Sequence, residues 1–66
     1  MIDVYKYDSK RVKIKCSDID KVFIGRAIAD TEYDTDRDYI TLYPSNSPIC
    51  YELYADEIES IEVIED

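Results

Sequence analysis

The chain has 66 residues, 45% hydrophobic and 36% charged, with sixteen acids against eight bases and a net charge of −8. That length allows one domain with a small core, burying about 60% of the surface its unfolded form exposes, and it excludes a two-domain enzyme. The composition is too apolar for a disordered chain and too polar for a membrane one, and the absence of His removes the commonest general base and metal ligand.

In chain order, residues 2–7 (Ile-Asp-Val-Tyr-Lys-Tyr) are β-branched and aromatic, and the turn-forming Asp8-Ser9-Lys10 follows, so the start of the chain is expected to pair as a hairpin with the next segment. That segment, Arg11-Val12-Lys13-Ile14-Lys15-Cys16, alternates with period two, which puts Val12, Ile14 and Cys16 on one face and the bases on the other. After the polar break Ser17-Asp18-Ile19-Asp20, the run from Lys21 to Asp30 carries the only glycine, Gly25. A lone Gly in a strand marks a bend, a bulge or a close backbone approach.

Residues 30–38 contain no aliphatic side chain and hold acids at alternate positions, Asp30, Glu32, Asp34, Asp36 and Asp38, which predicts a solvated loop or a hairpin end. Tyr39-Ile40-Thr41-Leu42-Tyr43 has strand composition, Pro44-Ser45-Asn46-Ser47-Pro48 stops it, and a further strand is expected over Ile49–Tyr54. From Ala55 the apolar spacing is first three (Ile58, Ile61) and then two (Ile61, Val63), which predicts one helical turn near residues 55–59 followed by a last strand. A helix starting at about residue 55 is the competing reading. Four or five short strands with tight connections predict a single all-β domain over residues 1–66, a small, strongly bent five-stranded barrel. Ile14, Ile24, Ile28, Ile40, Leu42, Leu53 and Ile61 are its expected core, with Tyr51 and Tyr39 completing it.

The same order of elements resembles the Sm-like small β-barrel, a member of the wider SH3-like group, over residues 11–64. Lys10-Arg11-Val12-Lys13-Ile14 is similar to that family's first strand, and Val22 to Asp30, with Gly25 and Asp30, to its bent second strand. Tyr39-Ile40-Thr41-Leu42 matches the third, and Ile58-Glu59-Ser60-Ile61 the closing segment. The resemblance implies rings built by pairing the fifth strand of one subunit with the fourth of the next, and RNA binding through two loops. RNA-binding members carry Asn after the acid of the second loop and Arg-Gly or Lys-Gly before the last strand. Here Asp30-Thr31-Glu32-Tyr33 and Ala55-Asp56-Glu57 stand there, so no RNA-binding residue of the family carries over. Acidity together with this fold is also similar to the Rho-binding antiterminator family, whose members engage a nucleic-acid-binding protein rather than nucleic acid.

The charge is unevenly spread: residues 1–26 hold seven bases against four acids, while residues 27–66 hold Arg37 against twelve acids. Such polarity suits a homo-oligomer in which one copy's basic half meets the next copy's acidic half, and the excess of acid disfavours nucleic acid and anionic membranes as partners. An acidic effector that enters the basic groove of a nucleic-acid-binding protein is the alternative, with Asp34, Asp36, Asp38, Glu57, Glu59 and Glu62 as contact charges. Weak RNA binding through the basic strip Lys10, Arg11, Lys13 and Lys15 is a third reading.

No serine has a His beside which to act as nucleophile, and no glycine-rich phosphate loop exists, so a noncatalytic protein without cofactor is expected. The alternating acids fail the EF-hand pattern, because a loop begun at Asp30 has Thr35 where Gly is required and Thr41 where the bidentate Glu belongs, so no metal site is expected. Cys16 and Cys50 lack zinc spacing and are expected to pack as small hydrophobes, although one long-range disulfide would also satisfy the count. Without an apolar leader or an apolar run of about 18 residues, a cytoplasmic address follows.

Overall fold

A computed structural model describes all residues, Met1–Asp66. Five antiparallel strands form one sheet: β1 Arg11–Cys16, β2 Val22–Thr31, β3 Asp38–Tyr43, β4 Tyr51–Tyr54 and β5 Ile58–Glu65, in spatial order β4-β3-β2-β1-β5. Two short 3₁₀ turns, Val4–Tyr7 and Ala55–Glu57, are the only helical elements, and no helix is long and apolar enough to cross a membrane. The all-β class, the five strands and the helical turn before β5 agree with the pattern of the sequence.

The sheet does not close into a barrel: β4 and β5 stand at its two ends and do not pair. It is nevertheless strongly curled. Strands spaced at about 4.8 Å would place β4 and β5 roughly 19 Å apart in a flat sheet, whereas the four peptide units from Tyr54 to Ile58 reach at most about 14 Å. The 3₁₀ turn crosses this gap with Ala55 buried beneath it.

Inside the curl lie Val4, Val12, Ile14, Cys16, Phe23, Ala27, Ile40, Leu42, Leu53, Ala55 and Ile58. Ile14, Ile40, Leu42 and Leu53 are core residues as expected, and Ile61 packs partly against them. Ile24 and Ile28 are not: they point outward, 44% and 39% exposed, while Phe23, Gly25 and Ala27 face in. The reason is steric. A Cβ on Gly25 would stand 2.5 Å from the carbonyl oxygen of Tyr43 and 3.0 Å from the Cα of Pro44, so the face of β2 bearing residue 25 is the one over which the chain leaving β3 passes. Tyr51 meets Phe23 edge-on at 5.0 Å and joins the core margin, whereas Tyr39 lies on the outer face against Tyr54.

Residues 4–7 form a 3₁₀ turn rather than a strand. Both edges of β1 are taken, one by β2 and the other by β5, so the expected hairpin partner has no edge to pair with. The turn instead seats Val4 in the core, Asp3 accepts the Tyr5 N–H at its start, and the Asp8 carboxylate accepts the Ala29 N–H.

β5 explains the mixed spacing at the C-terminus. Its register against β1 shifts between Lys15 and Cys16, so that Cys16 faces Ile58, Lys15 faces Ser60 and Ile14 faces Ile61. One extra residue at this bulge lets Ile58 and Ile61, three apart, both face the core without a helix. β4 is shorter than expected, and Ile49 and Cys50 before it are exposed.

Candidate interaction surfaces

The acidic segment between β2 and β3 is a tied hairpin end. The Glu32 N–H donates to the Arg37 carbonyl at 2.8 Å and the Asp36 N–H to the Glu32 carbonyl at 2.9 Å, with Asp36 in the left-handed region at φ 55°. Asp tolerates that conformation because its short polar side chain bonds locally. Two side chains pin this end to β4 and the following turn. Tyr54 Oη donates to Glu32 Oε2 at 2.9 Å, and the Arg37 guanidinium lies 3.8 Å over the Tyr54 ring while it donates to both Asp56 carboxylate oxygens at 3.0 and 3.3 Å.

These contacts bias the ionisation of their members. Hydrogen bonds from Thr35 and then Tyr54 hold the Glu32 carboxyl below the usual carboxylate range, and the Glu32 bond, followed by burial, raises the Tyr54 phenol. Burial, then Asp30, raises Tyr39 as well. A lowered folded-state value means that Glu32 contributes stability above its ordinary 4.5, and that the contribution is lost as pH falls through the lower folded value. Glu32→Gln is therefore expected to melt below the parent at pH 7, with the gap closing as pH falls below the ordinary 4.5 and through the lower folded value. Melting curves across that range check it, and a pH-independent gap would show that the ionised carboxylate is not what matters.

The six acids singled out in the sequence do not form one patch. Asp36 and Asp38 line a cleft of about 120 Å³ with Asp56, Arg37, Ala55 and Met1, while Asp34 lies exposed on the loop beside it. Asp38 is also structural, accepting from Thr31 Oγ1, which in turn receives the Tyr5 hydroxyl. Glu57 lines a separate cleft of about 130 Å³ with Cys16, Asp18, Ile19, Glu52 and Leu53. Glu59 and Glu62 belong to β5, next to the basic strip: Glu59 pairs with Lys15 at 3.6 Å and Glu62 faces Lys13 across the strands.

The strip is thus met by acids of the same chain. Lys10 pairs with Asp66 at 3.6 Å, and Arg11 faces Glu65. The opposite charges of the two halves of the sequence meet inside one molecule along the β1–β5 ladder. Each exposed pair is worth at most about 1 kcal/mol, but together they reduce the field the strip presents to a phosphate backbone.

Comparison with family models, curated proteins and solved structures gives no match. The geometry therefore bears the functional reading alone. Both cysteines are free: Cys16 is buried, with its thiol raised by burial and then by Glu57 and Asp18, and Cys50 is exposed. No three Cys, Asp or Glu side chains converge as a cation site.

Tyr54, Arg37 and Asp56, which organise the acidic end, were not singled out by sequence reasoning. One signal was available. Arg37 is the only base after Arg26, and an isolated base among twelve acids is bound to find one of them.

Proposed function

We propose that this chain is a noncatalytic protein–protein interaction module of Sm-like or SH3-like kind that self-associates and works in the cytoplasm, where free thiols stay reduced. The observation that carries it is the pair of open edges: β4 and the eight-residue β5 each pair on one side only. An unpaired edge is a template for another strand, and one edge of each kind on every copy permits a β4-to-β5 contact that repeats head to tail. Since the basic strip already faces acids of its own chain, association rests on backbone pairing and apolar contact more than on charge. Light scattering is expected to find a defined oligomer at tens of micromolar that persists at high salt. A monomer at both physiological and high salt would overturn self-association.

The acidic hairpin end supports a second reading, an effector entering the basic groove of a nucleic-acid-binding protein. Asp34 and Asp36 project from a loop held in place by Arg37 and Tyr54, so its charge is presented on a tied rather than a floppy segment. Asp34→Asn with Asp36→Asn is expected to abolish capture of such a protein without changing the melting temperature. Capture unaffected by the double variant would dismiss this reading.

A further inference from the structure

β2 is only partly covered by its neighbours. β1 pairs with Val22–Arg26, but β3 pairs only from Arg26 onward, so on the β3 side the backbone of residues 22–24 has no strand beside it. Between this open stretch and the β3–β4 loop lies a groove of about 200 Å³, with Phe23 and Leu42 at its floor and Val22, Ile24, Pro44 and Tyr51 among its walls. Asn46 and Ser47 supply polar groups on the loop side.

The charge at this groove is opposite to that of the protein. Lys21 stands at its mouth with its Nζ 5.1 Å from the Phe23 ring centroid and 5.2 Å from that of Tyr51. The three salt bridges of the chain use Lys10, Lys15 and Arg37, so Lys21 has no ion-pair partner, whereas Lys13 faces Glu62 across the strands, Arg11 donates to Ser45 Oγ and Arg26 donates to the Ser9 carbonyl. Lys13 lies directly across from Ile24, and Arg11 from Arg26. Asp18 and Asp20 precede Lys21 in the turn without pairing with it. Ile24 and Val22 stand exposed among these cations at 44% and 45%.

We infer that this groove binds an extended segment of a partner protein in which a carboxylate side chain stands two residues from an aliphatic one, so that both point to the same face. The segment lies along residues 22–24 as an added strand, its aliphatic side chain enters over Phe23 and Tyr51, and its carboxylate meets Lys21, with Lys13 beyond Ile24. Added-strand binding takes affinity from the main chain and specificity from such pockets. A polyanion is the poorer occupant, because it must approach a molecule of net charge −8 along its whole length, whereas one or two carboxylates experience chiefly the local cations. The inference rests on the reading of the chain as an interaction module and places a second surface away from the β4 and β5 edges.

The probe is a displayed library of random nonapeptides selected on the immobilised full chain, followed by amide chemical-shift mapping with the enriched peptides. The expected result is enrichment of acidic residues two positions from Ile, Leu or Val, with shifts at Val22, Ile24, Asn46 and Tyr51. Lys21→Glu, an exposed change, is expected to weaken binding at least tenfold, and Ile24→Thr, which keeps the β-branched shape, several-fold. No enrichment, enrichment of basic peptides, or undiminished binding to Lys21→Glu would overturn the inference. So would shifts confined to β4 and β5, or a single-stranded RNA that binds here and is lost in Lys21→Glu. Shifts at the strand edges would leave the module reading standing while this groove falls. An oligomer by light scattering with no peptide enriched would do the same, and a monomer that enriches the expected peptides would separate the two the other way.

Discussion

Gly25→Ala is expected to be the most damaging single substitution in this protein, costing about 3 kcal/mol or more, at the upper end of what overpacking a core does. A Cβ at 2.5 Å from the Tyr43 carbonyl oxygen and 2.8 Å from its carbon meets main chain, the Pro44 Cα at 3.0 Å included, and not the far end of a flexible side chain. To admit it, the end of β3 must move away from β2. A domain of 66 residues has about 3–10 kcal/mol of stability in total, so the variant is expected to be largely unfolded at 37 °C. Urea or thermal unfolding followed by circular dichroism checks this. A midpoint within a few degrees of the parent would mean that the backbone of Tyr43 and Pro44 yields freely, which the close approach argues against.

Leu42→Ala ranks next. Leu42 is fully buried in β3, beside Ile40 and across the ladder from Ala27 and Tyr51. Truncation removes three carbons from a site whose neighbours are tied by strand pairing and cannot collapse to fill it, so the cost is expected near 2–5 kcal/mol. Ile24→Ala and Ile28→Ala, which delete comparable side chains on the outer face of β2, are expected to cost less than about 1 kcal/mol, because much of each side chain already meets water. Equilibrium unfolding of the three variants together gives a ranking. Equal losses would show that the outer face of β2 is covered in solution, which would itself favour self-association.

Much of the fold was legible locally. The alternation of residues 11–16 places Val12, Ile14 and Cys16 inward, as they lie in β1, and β3 ends at Tyr43, directly before Pro44. The phase of β2 was harder, because Phe23, Ala27 and Ala29 on one face and Val22, Ile24 and Ile28 on the other are all apolar. Parity held the answer, since Arg26 shares its face with Ile24 and Ile28, and a cation without a buried partner belongs outside. Size misled: the larger aliphatics look like core, yet the close passage of the chain leaving β3 demands a Gly at position 25 on the inner side.

The helical turn lies at Ala55–Glu57, within the stretch its spacing predicts, but Ile58 and Ile61 owe their common inward face to a bulge in β5 rather than to a helical period. The bulge depends on the register with β1, a partner more than forty residues away. The fate of residues 2–7 is decided in the same manner: their composition favours a strand, but β5 occupies the edge of β1 they would need. As for the surfaces, net charge and the uneven placement of acids and bases are properties of composition and were plain from the start. Which charges neutralise one another was not. Folding lays β5 beside β1 and sends the basic strip to its own chain's acids, leaving Lys21 without an ion-pair partner beside a partly uncovered strand. Local pattern therefore settled class, strand content and overall charge, because these follow from residue type and period. Strand neighbours, the inner face of β2, the failure of the sheet to close and the location of the unpaired Lys21 were settled by contacts between residues distant in the chain, for which no local period carries a signal.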